Sequence, residues 1–499
     1  MPNTLAYLAL MAWPLVIALM FRKMAPERAL IWAILGGYLL LPEAARINFP
    51  MIPPFDKVSI PNLTTFALCV AIFGTRIVAW PSGWSGRILF VALITAPIFT
   101  VFANTEPVLV GAIESGRLLI TGEAPPVRGM RLYDSASVLV QQIIALLPFI
   151  LGYHLLRSAE GLEMLLRALV IAGLIYSLPM LWEIRFSPQL HTIVYGFFQH
   201  DFGQMIRWGG YRPIVFLPHG LWLSLFAAMT VMAALHVLRH SATAQRPRAL
   251  LIALYLCCVL ILSKSLGPIL IVAVLAPLIL YAGPKLQLSA AAMIGLIALV
   301  FPLLRGAGLI PTDMLVRELS AHSAERAHSL GFRFDNEDLL LARAAEKPLV
   351  GWGAWGRNLI HDPITGEAAT ISDGFWVITI GQFGWIGYLA TFGLLALPLF
   401  ALWRHGARRS GAQIAPQVGS LALIFSGNLF DLLPNATLVP WTWLMAGALL
   451  GQAAQLARQT QDPVAPATRD SLLSRARVAR QGTGQAAPLG TVSRKERGA

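Results

Sequence analysis

The sequence predicts an all-α fold: a polytopic transmembrane helical bundle of about 12–13 spans, with one large polar loop that carries amphipathic helices. Three observations predict it. First, 56% of the 499 residues are hydrophobic and only 13% are charged, where a soluble domain carries roughly 25% charged residues. Second, apolar runs of about 20 residues recur along the chain, the length a helix needs to cross a hydrocarbon core ~30 Å thick. Third, the short alternating segments of a membrane β-barrel are absent.

In chain order the apolar runs place helices at 4–20, 29–41, 62–80, 88–104, 135–156, 163–183, 213–236, 249–263, 267–282, 287–304, 374–402, 416–433 and 437–455. The run at 29–41 is short and is also compatible with half of a re-entrant pair. The first run lacks a basic leader and a small-residue cleavage site, so it reads as a retained helix. Cys69, Cys257 and Cys258 all lie within apolar runs. They read as small buried hydrophobes, not as a disulfide framework or a metal site.

The formal net charge of +13 resembles a nucleic-acid signal until it is mapped onto the spans. Arg22, Lys23 and Arg28 follow the first span, Arg157 and Arg167 the fifth, Arg239, Arg246 and Arg248 the seventh, and Arg404, Arg408 and Arg409 the eleventh. With the Arg-rich tail, these clusters fall on one side, which the positive-inside rule makes cytoplasmic. No nucleic-acid partner is needed. The C-terminus is then inside and, with an odd number of spans, the N-terminus outside. The chain divides into N-terminal spans (1–304), a large outer loop (305–372), C-terminal spans (373–457) and a disordered basic tail (458–499).

Four segments face the outer side: 42–61, 105–134, 184–212 and 305–372. The last has helix signals of its own. In NEDLLLARAAEKP, Leu339, Leu340 and Ala344 keep helical spacing, acidic residues open the segment and Lys347–Pro348 closes it. The reading is an amphipathic helix at the membrane surface, followed by the Gly-rich turn PLVGWGAWG, Pro348 to Gly356.

Cations at outer helix ends suit an anionic ligand, and arginine's planar fork pairs with phosphate oxygens two at a time. Arg212 lies in WGGYRP, Lys264 in LSKSLGP, Arg333 ahead of the amphipathic helix and Arg343 within it. Each alone also fits snorkelling to headgroups or a loop ion pair; together they point to a shared anion. Asp373 opens a long apolar span, where an unpaired carboxylate is costly. It reads either as a general base or, with Ser372, as a helix N-cap. His219 in FLPHG, just inside the seventh span, is placed to face the same cavity or to be a hydrogen-bonded interior histidine. Asp431 reads as a partner to an arginine. The histidines lack metal-ligand spacing, and no phosphate-binding glycine loop is present for ATP-driven transport.

The order of these elements resembles the O-antigen ligase and polysaccharide polymerase superfamily. They are Arg333, a helix around Leu339 to Ala345, Pro348/Gly351/Gly353, the dipeptide Asp373–Gly374 and the step Gly384/Gly387, with LSKSLGP standing like that family's S-x-S-R-G segment. The likeness covers about residues 205–400. It implies a metal-independent, cofactor-free membrane glycosyltransferase of the bacterial inner membrane. Its donor is a glycan on undecaprenyl diphosphate, its chemistry is periplasmic, and other envelope polysaccharide assembly proteins are its natural partners. The family's diphosphate-holding arginines match Arg212 and Arg333, with Lys264 in place of a usual arginine. Ligases acting on lipid A typically have His-Asn where Asp373–Gly374 stands, and a Glu where Gln382 stands. The Asp looks more like a polymerase, which joins the glycan to the next lipid-linked repeat. The alternatives are a ligase to lipid A core or protein, a transporter or flippase of lipid-linked sugar, and a structural partner in an envelope complex.

Overall fold

The computed structural model describes residues 1–49, 52–78, 83–110, 112–114, 117–119, 125–408 and 413–461. Arg409 and the basic tail from residue 462 lie outside the described residues. Helices dominate. They are α1 (Thr4–Lys23), α2 (Pro26–Leu40), α3 (Ser59–Phe73), α4 (Trp84–Phe102), α5 (Leu132–Leu155), α6 (Ala159–Phe186), α7 (Leu190–Tyr195) and α8 (Gly220–His240). There follow α9 (Arg246–Leu262), α10 (Leu266–Tyr281), α11 (Pro284–Gly306), α12 (Thr312–His322), α13 (Ala324–Ala345), α14 (Phe375–Leu402), α15 (Pro416–Asp431) and α16 (Pro440–Gln461). Among the described residues, strands form only two-stranded antiparallel hairpins: β1 (Ile47–Phe49) with β2 (Ile52–Phe55), β3 (Ala112–Glu114) with β4 (Arg117–Leu119), and β5 (Ile206–Arg207) with β6 (Gly210–Tyr211).

Among the described residues, 8 helices are long and apolar enough to cross a membrane: α1, α4, α5, α6, α8, α9 with its preceding turn, α11 and α14. The protein is a multi-pass membrane protein. Each of the thirteen apolar runs contains a helix, yet α2, α3, α10 and α15 have only 15 or 16 residues and rise about 22–24 Å. Of these, α2 and α15 are buried on almost every side, the setting in which an all-round apolar helix is stable. Leu8, Met11 and Leu15 of α1, Leu251 and Leu254 of α9, and Leu270 and Val274 of α10 stand exposed. In a chain this apolar, such a girdle faces lipid.

Two boundaries differ from the sequence reading. The third helix stops at Phe73, not near residue 80, because Gly74 turns out of the helix at φ 75°. The seventh apolar run yields α8 only from Gly220. Before it, Pro213 and Pro218 withhold amide donors and Val215 sits at φ 52°, so residues 213–219 form an irregular strap. The loop helix also differs: α13 starts at Ala324, well before Asn336, and places Arg333 inside the helix. Gly331 does not interrupt it. A further helix, α12, precedes it.

The feature that joins loop to bundle lies in α14. Gly384 has φ 63° and ψ −166°, so α14 is two helices separated by a break. The Pro348–Gly353 segment occupies that break. Trp352 and Gly353 amides donate to the Gly381 and Gln382 carbonyls at 2.8 and 2.9 Å, and the Trp385 and Ile386 amides donate to Pro348 and Leu349 carbonyls at 2.8 and 3.3 Å. The backbone groups freed by the break are thereby satisfied inside the protein, which a membrane interior requires. A Cβ at Gly384 would overlap the Leu349 carbonyl, and one at Gly351 (φ 68°) would lie 2.5 Å from the Gln382 carbonyl carbon.

The segment is clamped from its other side by the end of α4. Thr100 Oγ1 donates to the Val350 carbonyl at 2.6 Å and Asn104 Nδ2 to the Gly351 carbonyl at 2.9 Å. Arg357, 2% exposed, donates to the carbonyls of Trp352, Arg128 and Glu106 at 3.0, 2.6 and 3.0 Å.

Gly384→Ala should therefore unfold the α13–α14 junction, at a cost of about 3 kcal/mol or more from backbone strain and overlap. Leu389→Ala, on the exposed face of the same helix, should cost much less. Thermal unfolding of both variants in detergent checks this.

Candidate functional site

A cavity of about 510 Å³ opens between the strap before α8, the α9–α10 turn, α13 and the start of α14. Arg207, Arg212, Lys264 and Arg333 line it, with Asp373 as its carboxylate and His200 and His219 as its imidazoles. Its volume is that of a small-molecule site.

Arg212 is positioned by backbone first. The β5–β6 hairpin pairs Arg207 with Gly210, and the Arg212 amide donates to the Met205 carbonyl at 2.7 Å. Beyond it, the buried Glu183 carboxylate accepts from the Ile214 and Val215 amides at 2.8 Å each, and Lys57 Nζ donates to the Phe216 carbonyl at 2.6 Å. The strap is thus tied to the end of α6. The Arg212 side chain is 4% exposed. Its Nη2 donates to Ser265 Oγ at 2.6 Å, and Ser265 Oγ lies 2.6 Å from Ser224 Oγ. Its Nε lies over Gly220, where a Cβ would approach to 2.6 Å, and has no hydrogen-bond partner among the described residues. Burial, and then the charges of Arg207 and Arg333, lower its pKa to about 10, so it stays protonated at neutral pH.

Lys264 sits in the turn between α9 and α10 in a left-handed conformation (φ 56°). Its Nζ donates to the Arg207 carbonyl at 3.1 Å and passes over Gly210, whose missing side chain makes the room. Among the described residues, neither Arg207, Arg212 nor Lys264 has a carboxylate within ion-pair distance.

Arg333 and Asp373 come from opposite ends of the α13-to-α14 connection. Arg333 Nε lies 3.1 Å from Asp373 Oδ2, with both side chains more than a third exposed. One turn along α13, Asn336 Oδ1 accepts the Ile371 amide at 2.8 Å, fixing the backbone that carries Asp373. The base of α13 is held by Arg305 at the end of α11, which meets Glu337 at 3.5 Å and Asp338 at 2.8 Å. Burial outweighs that pairing and raises the Glu337 pKa to about 7.

The cap reading of Ser372 and Asp373 is corrected. The residue capping α14 is Gly374, with no side-chain cap; the first amide, of Phe375, donates to the Leu432 and Asn435 carbonyls at 3.0 and 3.2 Å. His219 is not inside a span but precedes α8. Its Nδ1 accepts the Leu221 amide at 3.0 Å, and its Nε2 lies 3.2 Å from Gln204 Oε1. Those two partners select the neutral tautomer with the proton on Nε2. Arg343 does not reach the cavity. Its guanidinium stacks 3.4 Å from the Trp352 ring centre and pairs with Glu346 at 2.7 Å, so it braces the turn. Asp431 accepts from Asn435 and Thr437, at 3.1 and 2.7 Å, not from an arginine.

The structure adds Arg207 to the cations singled out in the sequence. The available signal was the RWGG turn, whose two central residues are left-handed (Trp208 φ 50°, Gly209 φ 66°) and which folds Arg207 back toward the Arg212 strand. Among the described residues, no group of three His, Cys, Asp or Glu side chains could hold a metal ion. In comparison with known proteins, the chain matches no family model and no curated protein.

Glu337 yields a pH prediction. Its pKa is raised in the fold, so its stabilising contribution is complete below about 4.5 and lost as pH rises through about 7. Hydrogen exchange of α13, corrected for intrinsic rate, should show stronger protection at pH 5.5 than at pH 8. Glu337→Gln should flatten that difference.

Proposed function

We propose that the protein is a polymerase-like membrane glycosyltransferase working on the periplasmic side of the bacterial inner membrane. It moves a glycan from undecaprenyl diphosphate onto a hydroxyl of a lipid-linked acceptor. The observation that carries this reading is the convergence of four cations from three separate parts of the chain on one cavity with one carboxylate at its edge. Three of them lack carboxylate partners among the described residues, an arrangement suited to a multiply charged anion. The motif order around Arg333, Gly351/Gly353 and Asp373 agrees with the resemblance to glycan ligases and polymerases.

In the reaction the acceptor oxygen bonds to the anomeric carbon as the bond from that carbon to the diphosphate oxygen breaks. The acceptor proton passes to Asp373. The leaving lipid diphosphate keeps the electron pair, and Arg207, Arg212, Lys264 and Arg333 stabilise its growing charge. Preorganised charge of this kind is commonly the largest catalytic contribution. Diphosphate binding also supplies Arg333 with a second anionic partner, which loosens its hold on Asp373 and leaves the carboxylate available as a base.

Arg212→Ala and Asp373→Asn should each lower the rate of glycan extension roughly 10²–10³-fold, at matched protein levels. Lys264→Arg should retain most activity. Glycan length in cells and extension of lipid-linked repeats by purified protein measure this. Normal chains in both loss variants overturn the proposal. Long lipid-linked chains that never reach an acceptor point to ligase chemistry instead.

A further inference from the structure

One wall of the cavity is not charged. Trp208 and Trp222 line it beside Arg207, Arg212 and Lys264. Trp208 stands at the tip of the β5–β6 hairpin, at the first central position of a two-residue turn with both central φ angles positive. That turn type is best served by Asn, Asp or Gly, and a large side chain there is held against its backbone preference. A bulky indole in a strained conformation at a site wall is a residue kept for its side chain. It is 52% exposed, while Lys264, which donates to the Arg207 carbonyl, and Arg212, which donates to Ser265, hold the base of the hairpin at the cavity. Trp222, on the first turn of α8, meets the His219 ring edge-on, with ring centres 6.2 Å apart.

We propose that Trp208 is the sugar platform of this site, with Trp222 as its companion: a pyranose ring bonded to the diphosphate lies with its apolar C–H face on the indole. The inference rests on the reading of the cavity as a lipid-diphosphate site. In this scheme Arg207, Arg212 and the Lys264 amine that meets the Arg207 carbonyl hold phosphate, and Trp208, next to Arg207 in the chain and lining the same cavity, receives the first sugar of a glycosyl diphosphate. Stacking on an indole needs only a face of C–H bonds, so it tolerates different sugars and adds nothing to the binding of a bare diphosphate. Trp208 is a binding residue in this scheme and takes no part in proton transfer.

The test uses the full chain in nanodiscs. The probes are undecaprenyl diphosphate and the same lipid bearing one hexose, one N-acetylhexosamine or one 6-deoxyhexose. The wild type should bind at least one glycosylated probe more tightly than the bare lipid, by roughly three- to tenfold, the scale of an aromatic contact. Trp208→Ala should erase that margin while leaving bare-lipid affinity within about twofold, and Trp208→Phe should keep part of it. An equal loss on all probes overturns the proposal, since it marks Trp208 as an interfacial anchor or a fold residue. So does a wild type without a margin for any sugar. The underlying reading fails separately, if Arg212→Ala leaves affinity for the bare lipid unchanged.

Discussion

Much of the architecture depends on one exchange of backbone hydrogen bonds. Where α14 breaks at Gly384, the amides and carbonyls that a continuous helix would pair internally are taken up by residues 348–353. A membrane interior offers no water to satisfy them. The polar loop therefore cannot drift away from the bundle: its Gly-rich turn fills the break in a helix. Thr100, Asn104 and Arg357 grip the opposite edge of the same turn, which extends the constraint from α14 to α4. Arg343 and Lys347 both stack on Trp352 from outside, closing the remaining face.

With that turn fixed, the chain on either side of it has little freedom. Upstream, α13 must leave the turn and run back across the bundle, where Arg305 and Asn336 catch it. Downstream, residues 357–372 return to begin α14, and its first amide is received by the chain end of α15. Arg333 and Asp373 meet because both approaches are pinned, not because their mutual attraction draws them together. A half-exposed ion pair contributes little by itself, on the order of 0–1 kcal/mol. The pair reports the fold's geometry.

The helices were legible because bilayer thickness imposes a length on apolar runs: each run from 4–20 to 437–455 contains a helix, although among the described residues 8 are long and apolar enough to cross a membrane, fewer than the 12–13 spans expected. What the pattern does not encode is how a run is used. The brevity of α2 and α15 is compensated by burial within the bundle, a property of neighbours and not of composition. Arg212, Lys264, His219, Arg333 and Asp373 were all visible as polar residues at the margins of apolar runs, and the fold brings them around one cavity. Arg343 looked equivalent, but the helical period turns it about 80° from Arg333, onto the face that meets Trp352. Arg207 carried no periodic signal, since its placement comes from a hairpin turn with two left-handed residues. The break at Gly384 was hidden for a similar reason: one glycine in an apolar helix is unremarkable until its hydrogen-bond partners, some thirty residues earlier, are known.

The cations of the cavity are held there against their mutual repulsion and against desolvation. Arg212 is nearly inaccessible, keeps an unpaired Nε and feels the like charges of Arg207 and Arg333, yet the strap that carries it is tied down by Glu183, Lys57 and Gln199. Gly210 and Gly220 stand where any side chain would push Lys264 or Arg212 aside. A protein that needed only a stable strap would find it more easily with apolar side chains, because replacing buried charge by packed hydrocarbon is often neutral or stabilising. Asp373 offsets one of the four charges and leaves the others without an ionic partner among the described residues. On the proposed reading a lipid diphosphate brings the missing negative charge, and the supports around Arg212 hold its guanidinium in place to receive it.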